Sequence, residues 1–174
     1  MDNILEMFIM DPEKGFHVRE IARKLKKSPT TVSKYLKNYE KLGILRSEKK
    51  FNHLLFMANL SENFRHKKIM FNLDRIDSSG LVEFLKNKLD YPEAVILFGS
   101  WAKGNNSGES DLDLLIISPN KKELDLKKFS NKLGEVQLFI LSRGEIDKMK
   151  KSNPELLNSF VNGLILDGAW ELFE

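Results

Sequence analysis

The feature that most restricts the fold is residues 94–118, AVILFGSWAKGNNSGESDLDLLIIS. The first part, Ala94 to Phe98, is continuously apolar and predicts a short buried strand. That strand ends at Gly99-Ser100, and a turn-rich stretch then leads to a second apolar strand. Alternate residues of a strand point to the same face, so Asp111 and Asp113 are expected to project together. The run therefore predicts a sheet with paired carboxylates at a strand end.

The paired carboxylates predict a bound cation. Neighbouring negative charges repel unless a cation lies between them, and hard oxygen ligands suit Mg²⁺. A bound Mg²⁺ can also bridge the phosphates of a nucleoside triphosphate. Gly99 allows the backbone to approach a ligand, and the Ser100 hydroxyl with neighbouring N–H groups can hold a phosphate. Together, the two motifs predict a site for Mg²⁺ and a triphosphate.

The chain has a Gly-Ser pair that is followed, after ten residues, by Asp-x-Asp and an apolar strand. This pattern resembles a known signature. It is that of the nucleotidyltransferases of the DNA polymerase beta superfamily, in particular the minimal nucleotidyltransferase domains. The resemblance covers residues 79–174 and implies an α/β domain with a small mixed sheet. It implies that Gly99 and Ser100 bind the triphosphate with help from Lys103. It also implies that Asp111 and Asp113 are catalytic and ligate the metal in a two-Mg²⁺ site.

Active members of this family supply a third carboxylate from a later strand, as general base and metal ligand. The corresponding strand here is EVQLFILS, residues 135–142. If Val136 faces the core, the family's position falls on Gln137, whose neutral amide cannot accept a proton. Glu135, two residues earlier on the same face, is the alternative carboxylate. Either Glu135 is the catalytic base, or the chemistry is weak or lost.

The two halves of the chain differ in charge. Residues 1–76 carry a net charge of +7 and residues 77–174 carry −4, which predicts a polyanionic partner for the first half. The absence of Cys excludes disulfides and Cys-based zinc sites and suits a reducing compartment. No apolar run approaches the roughly 20 residues of a membrane span. We therefore expect a cytoplasmic protein with no membrane partner.

Apolar residues at helical spacing predict three helices before Gly43. The third begins at Ser28-Pro29, an N-cap followed by proline at the first helical position, and Gly43 is a plausible C-terminal cap. Two short extended runs around a charged turn follow and predict a β-hairpin. The connection before the third helix is short, and this helix starts with hydroxyl and lysine side chains. These features are typical of a helix that binds in the DNA major groove.

Residues 3–60 resemble the winged helix-turn-helix domain of bacterial and archaeal transcription regulators, and we place this domain at residues 1–60. The resemblance implies a double-stranded DNA partner, bound through side chains of the third helix and the hairpin. These are Ser28, Thr30, Thr31, Ser33, Lys34, Lys37, Lys49 and Lys50. A linker helix is predicted at residues 61–78, and such a helix can pair with its copy in a homodimer. The residues Asp77 to Gly80 predict a break before a further helix from Leu81.

The predicted fold class is α+β, with a winged helix-turn-helix followed by a nucleotidyltransferase-like α/β domain. The leading hypothesis is transfer of a nucleotidyl group from ATP or another triphosphate to an unidentified acceptor, coupled to DNA binding. The alternative is a transcription regulator whose degenerate nucleotidyltransferase domain binds a nucleotide or a partner. A related alternative is an antitoxin that modifies a partner toxin. The residue type at position 137 is the sequence feature that separates enzyme from sensor.

Overall fold

A computed structural model describes residues 3–50 and 53–172, except for the side chain of Lys50. The chain divides into two compact units, residues 1–71 and 72–174. The first part of the chain contains α1 (Asn3–Met10), β1 (Phe16–His17), α2 (Val18–Lys24), α3 (Pro29–Lys41), β2 (Leu45–Lys50) and β3 (His53–Ala58). Helix α4 (Glu62–Ser79) follows, and the division between the units falls within it. The remaining elements are α5 (Leu81–Lys88), β4 (Ala94–Phe98), α6 (Gly99–Lys103), β5 (Leu112–Ile117), α7 (Lys127–Leu133), β6 (Val136–Leu141), α8 (Arg143–Ser152), α9 (Pro154–Val161) and β7 (Leu164–Gly168).

The N-terminal unit combines helices with a three-stranded antiparallel sheet of order β1-β3-β2. Apolar residues from the helices and the sheet share one core, which includes Ile4, Phe8, Ile21, Leu36 and Phe56. The three predicted helices and the predicted hairpin are confirmed. Strand β1 was not predicted, because a two-residue strand has no sequence period to detect.

The C-terminal unit contains a four-stranded sheet of order β6-β5-β4-β7. Strands β5 and β6 are parallel, whereas β4 is antiparallel to both β5 and β7. The predicted small mixed sheet is therefore confirmed. Because side chains alternate along the strands, one face packs against α5, α6 and α7 and the other against α8 and α9. The first face includes Leu97 and Leu114, and the second includes Phe98 and Leu115.

The predicted break at residues 77–80 is wrong in one respect, because α4 continues through Ser79. The Ser78 hydroxyl donates to the Arg75 carbonyl at 3.2 Å, and the Ser79 hydroxyl donates to the Ile76 carbonyl at 2.6 Å. These local bonds satisfy the hydroxyls within the helix. The change of direction falls on Gly80, whose φ of +74° glycine adopts without strain. Within residues 3–50 and 53–172, no helix combines the length and hydrophobicity needed to cross a membrane.

Candidate functional site

Strand pairing brings the end of β4 to the beginning of β5. The antiparallel register pairs Phe98, the last residue of β4, with Asp113. Paired residues of antiparallel strands lie about 5 Å apart. Gly99 and Ser100, which directly follow Phe98, are therefore placed beside the predicted metal ligand Asp113. The structure thus brings together the two motifs that the sequence separates by ten residues.

Gly99 is in close contact with the carboxylate of Asp113. A Cβ built on Gly99 would collide with Oδ2 of Asp113, and the φ of Gly99 is +69°. Both the space and the backbone conformation therefore require glycine at this position. The glycine brings the turn between β4 and α6 directly against one of the paired carboxylates.

Helix α6 contains the other two residues predicted to bind phosphate. Ser100 is half-buried in its first turn, and Lys103 is exposed at its end. The Ser100 carbonyl accepts a hydrogen bond from the Asn105 N–H at 3.1 Å. Gly104 ends the helix with a φ of +68°. Ser100 and Lys103 therefore lie on one short helix, which begins at Gly99 beside Asp113 and ends before Gly104.

The electrostatics of the paired aspartates differ between the two residues. Asp111 precedes β5 and is exposed, whereas Asp113 lies within β5 and is half-buried. Burial raises the pKa of the Asp113 carboxyl, and the nearby negative charge of Asp111 raises it further. A positive charge at this position would offset both effects. The pair therefore has the electrostatic character of a site that binds a cation.

The donor set fits a magnesium ion. Two carboxylates supply the hard oxygen ligands that Mg²⁺ takes from a protein, and phosphates and water usually supply the others. The raised pKa of Asp113 is the observation that supports this fit, because Mg²⁺ would stabilise the charged carboxylate. Across the described ranges, no three His, Asp or Glu side chains are grouped to hold a metal ion.

The neighbouring strand places two candidates for the third family position beside the pair. The parallel register of β5 and β6 puts Gln137 next to Asp113. The same register continued by one residue puts Glu135 next to Asp111, and the Leu112 N–H donates to the Glu135 carbonyl at 2.8 Å. Glu135 and Gln137 are both exposed. An amide therefore lies beside Asp113, and a carboxylate lies beside Asp111.

A family model described as nucleotidyltransferase domain matches residues 78–166 of the chain. The chain belongs to this family. The matched part of the nucleotidyltransferase domain contains all the residues predicted for its site, namely Gly99, Ser100, Lys103, Asp111, Asp113 and Glu135. It also contains the sheet that sets the register between them.

The prediction missed two residues of α4 that contact α6 of the nucleotidyltransferase domain. The Asn72 side-chain amide donates to the Trp101 carbonyl at 2.9 Å. The Arg75 guanidinium lies over the Trp101 ring, 5.1 Å from its centroid. The sequence carried a signal for Asn72, which lies four residues before the apolar Ile76 and beside Phe71. An asparagine on such an apolar face is buried when it has specific hydrogen-bond partners.

The other predicted interface begins at the N-terminus of α3. Ser28 is the N-cap, and its hydroxyl oxygen accepts a hydrogen bond from the Thr31 N–H at 3.1 Å. Val32 and Leu36 are buried in the core of the N-terminal unit, which fixes the rotation of α3. The predicted DNA-contacting residues of α3 that are exposed as a result are Thr30, Thr31, Lys34 and Lys37, while Ser33 is half-buried.

The hairpin of β2 and β3 carries the remaining predicted DNA contacts. Lys49 is exposed and pairs in register with Leu54. Lys50 pairs with His53, and its side chain lies outside the described residues. The exposed Arg46 lies on the same strand. The strand of the predicted wing therefore presents the basic side chains of Arg46 and Lys49.

A second family model, described as winged helix-turn-helix DNA-binding, matches residues 17–46. These residues span α2, α3 and the start of β2, the part of the chain that contains the helix-turn-helix. The chain therefore joins a winged helix-turn-helix to a nucleotidyltransferase domain. No curated protein and no solved structure matches this chain.

Proposed function

We propose that the protein binds a nucleoside triphosphate with Mg²⁺ and transfers its nucleotidyl group to an acceptor, and that its winged helix-turn-helix binds double-stranded DNA. The close approach of Gly99 to the Asp113 carboxylate is the observation that carries the first part. It joins the phosphate-binding turn to the carboxylate pair within the residues matched by the nucleotidyltransferase family. The lack of Cys in the sequence agrees with activity in a reducing compartment such as the cytoplasm.

One group of the site residues binds the phosphates, and the other binds the metal. The Ser100 hydroxyl donates a hydrogen bond to a phosphate oxygen of the triphosphate, and Lys103 adds a positive charge at the end of the same helix. Gly99 leaves room for this approach, because a side chain there would fill the space beside Asp113. Asp111 and Asp113 would hold Mg²⁺. When bound, the ion supplies charge neutralisation and orientation of the phosphate oxygens.

Glu135 is the proposed general base, because it is the carboxylate that the β5–β6 register places beside Asp111. It accepts the proton of the acceptor hydroxyl as the hydroxyl oxygen attacks the α-phosphorus. A new phosphorus–oxygen bond forms, the bond to the pyrophosphate breaks, and pyrophosphate leaves. The acceptor then carries the nucleoside monophosphate. Gln137 contributes a neutral amide beside Asp113 and does not accept a proton.

The proposed DNA interface is the exposed side of α3 together with the hairpin. Lys34, Lys37 and Lys49 are exposed and suited to phosphate contacts. Thr30 and Thr31 are exposed near the N-terminus of α3, where winged helix and related domains contact base edges. A homodimer would present two such helices to a palindromic site with half-sites about 34 Å apart.

One incubation tests the transfer. The protein, Mg²⁺ and each α-³²P-labelled nucleoside triphosphate are incubated with protein and RNA from whole cells. We expect one class of macromolecule to become labelled by wild-type protein and not by the Asp111→Asn, Asp113→Asn double variant. Label transfer that is equal for the two proteins, or absent with every triphosphate and both extracts, contradicts the proposed reaction.

A further inference from the structure

Asn72 is the most deeply buried polar side chain near the candidate nucleotide site. It is 1% exposed, and it belongs to the C-terminal unit. Its amide nitrogen donates to the Trp101 carbonyl at 2.9 Å and to Oδ1 of Asn106 at 2.9 Å. Asn106 is itself buried, at 7% exposure. One side chain therefore links helix α6 to the loop that follows it.

That loop, residues 104–110, connects Ser100 to Asp111. It is attached to α6 at both ends, because the Asn105 N–H donates to the Ser100 carbonyl at 3.1 Å and the Trp101 indole N–H donates to the Ser110 carbonyl at 3.1 Å. Asn72 contacts the middle of the loop from outside it, at Asn106. The loop lies between α6, which contains Ser100, and the predicted metal ligand Asp111. Together with the pairing of β4 and β5, its conformation therefore affects how Ser100 and Asp111 are placed relative to each other.

We propose that Asn72 is a positioning residue for the nucleotide site, which it serves by holding α6 and the 104–110 loop in one arrangement. This role rests on the proposed function. Asn72 contacts no reacting group itself, since its two bonds go to Trp101 and Asn106. An apolar residue of similar size would fill the space but would make neither of these bonds. The loop would then lose its attachment to Asn72, and each buried hydrogen bond that is removed takes away free energy that favours the observed arrangement.

Asn72→Ala removes both hydrogen bonds and is the direct test. Asn87→Ala is the matched control, because the Asn87 amide also makes two hydrogen bonds, to the Glu83 carbonyl and to Oε1 of Glu83, on the exposed side of α5. Asn106→Ala is the second variant, since it removes the loop contact and leaves the bond from Asn72 to Trp101. It keeps the test available if Asn72→Ala does not fold.

The sequence contains two Trp residues, so a ¹H–¹⁵N spectrum shows two indole N–H signals. The Trp101 indole is bonded to Ser110, whereas the buried Trp170 indole N–H has no hydrogen-bond partner among the described residues. Trp170→Phe assigns the two signals. In the nucleotide-free protein, we expect Asn72→Ala to speed hydrogen exchange of the Trp101 indole by about tenfold or more and to leave the Trp170 signal unchanged.

The second readout is the dissociation constant of Mg²⁺ with a nucleoside triphosphate. We expect it to rise about tenfold in Asn72→Ala, less in Asn106→Ala, and not in Asn87→Ala, because misplacing Ser100 relative to Asp111 weakens binding. Trp101 exchange or nucleotide affinity that is the same in Asn72→Ala and Asn87→Ala overturns the positioning role. If wild-type protein binds no nucleotide, the proposed function fails, and the exchange data alone decide whether Asn72 holds the loop.

Discussion

The backbone of Gly99 lies directly against the carboxylate of Asp113, so that no side chain fits between them. The contact follows from the pairing of Phe98 with Asp113 at the end of β4. It explains why the motif needs glycine before serine: the turn must both adopt a φ of +69° and approach a carboxylate. A phosphate held by this turn would lie near the group that holds the metal.

A comparison of Gly99→Ala with Gly80→Ala distinguishes the effect of this close approach from the effect of backbone strain. Gly80 has a φ of +74°, and apart from its own neighbours in the chain no atom of the described residues lies within 4 Å of the position that a Cβ would take, so alanine there adds backbone strain and no collision. Strain of this kind costs roughly 1–2 kcal/mol per residue. We expect Gly80→Ala to lose about that much free energy of unfolding and to keep nucleotide affinity, as measured by urea unfolding and calorimetry.

We expect Gly99→Ala to lose more stability than Gly80→Ala and, in addition, to lose nucleotide binding, because Asp113 must move away from the new methyl group. Equal stability losses and equal nucleotide affinities in the two variants would mean that the approach of Gly99 to Asp113 has no functional consequence.

Asp113→Asn is expected to stabilise the protein in the absence of divalent cations. Burial and the charge of Asp111 raise the pKa of Asp113 in the folded state, so the folded protein binds more protons than the unfolded chain between the two pKa values. The free energy of unfolding therefore falls as pH rises through this window, and the deficit is fully present once the pH lies above both pKa values. The asparagine variant lacks it. One kcal/mol corresponds to about 2–4 °C in Tm for a protein of this size.

Thermal unfolding with and without Mg²⁺ measures this effect. The Tm advantage of Asp113→Asn should be present at pH 7 and should shrink as pH falls toward the ordinary aspartate pKa of about 3.9. Mg²⁺ should raise the Tm of the wild type and leave that of the variant unchanged. An Asp113→Asn variant that is less stable than the wild type at pH 7 without metal would rule out this electrostatic account.

The third carboxylate is tested by two substitutions on and beside β6. Glu135→Gln removes the proposed base and should lower the transfer rate by about 100-fold or more. Gln137→Asn keeps an amide beside Asp113 and should change the rate little. Single-turnover transfer of a labelled nucleotidyl group measures both. Full activity of Glu135→Gln together with faster transfer by Gln137→Asp would instead assign the family's position to residue 137.

Much of the candidate site could be predicted because its residues are close in sequence. Gly99 and Ser100 directly follow β4, and Asp111 and Asp113 lie at the start of β5, so strand periodicity places the aspartates together. The alternation along β6 also predicts that Glu135 and Gln137 share a face, whereas the pairing of Gln137 with Asp113 depends on the register between β5 and β6, which the alternation does not fix. Asn72 was not predicted: its position on the apolar side of α4 indicates burial, but the sequence does not indicate its partners, which lie 29 and 34 residues away.

The errors in secondary structure have local causes. Ser78 and Ser79 suggested a break, but their hydroxyls donate to carbonyls three residues earlier and α4 continues. Helix α7 was missed although Phe129 and Leu133, four residues apart, are both buried in it. The charged residues around them concealed this short apolar period. Gly134, with a φ of +77°, ends the helix where a C-terminal glycine is expected.

Lys34→Ala and Lys37→Ala test the proposed DNA interface. Each lysine that neutralises a phosphate releases counterions, so each substitution should reduce the slope of log affinity against log salt by about 0.9. The loss should be similar for all duplex sequences, whereas Thr31→Ala should change the sequence preference. Fluorescence anisotropy over a salt series measures both quantities.

Lys14→Ala is the control for these substitutions, because Lys14 lies outside α3 and the hairpin, with its ammonium over the Phe16 ring. Equal losses of affinity in Lys14→Ala and Lys37→Ala would indicate a general charge effect and not a contact by α3. Absence of binding to any duplex at low salt by folded protein would exclude DNA as the partner of this unit.

Calorimetry determines whether the paired aspartates bind Mg²⁺ together with a nucleoside triphosphate. Wild-type protein, the Asp111→Asn, Asp113→Asn double variant and the control Asp147→Asn, whose exposed carboxylate pairs with Lys150 on α8, are each titrated with triphosphate at several Mg²⁺ concentrations. We predict Mg²⁺-dependent binding by the wild type and by Asp147→Asn, and its loss in the double variant. Binding by the double variant with unchanged affinity and unchanged dependence on Mg²⁺ would contradict the account.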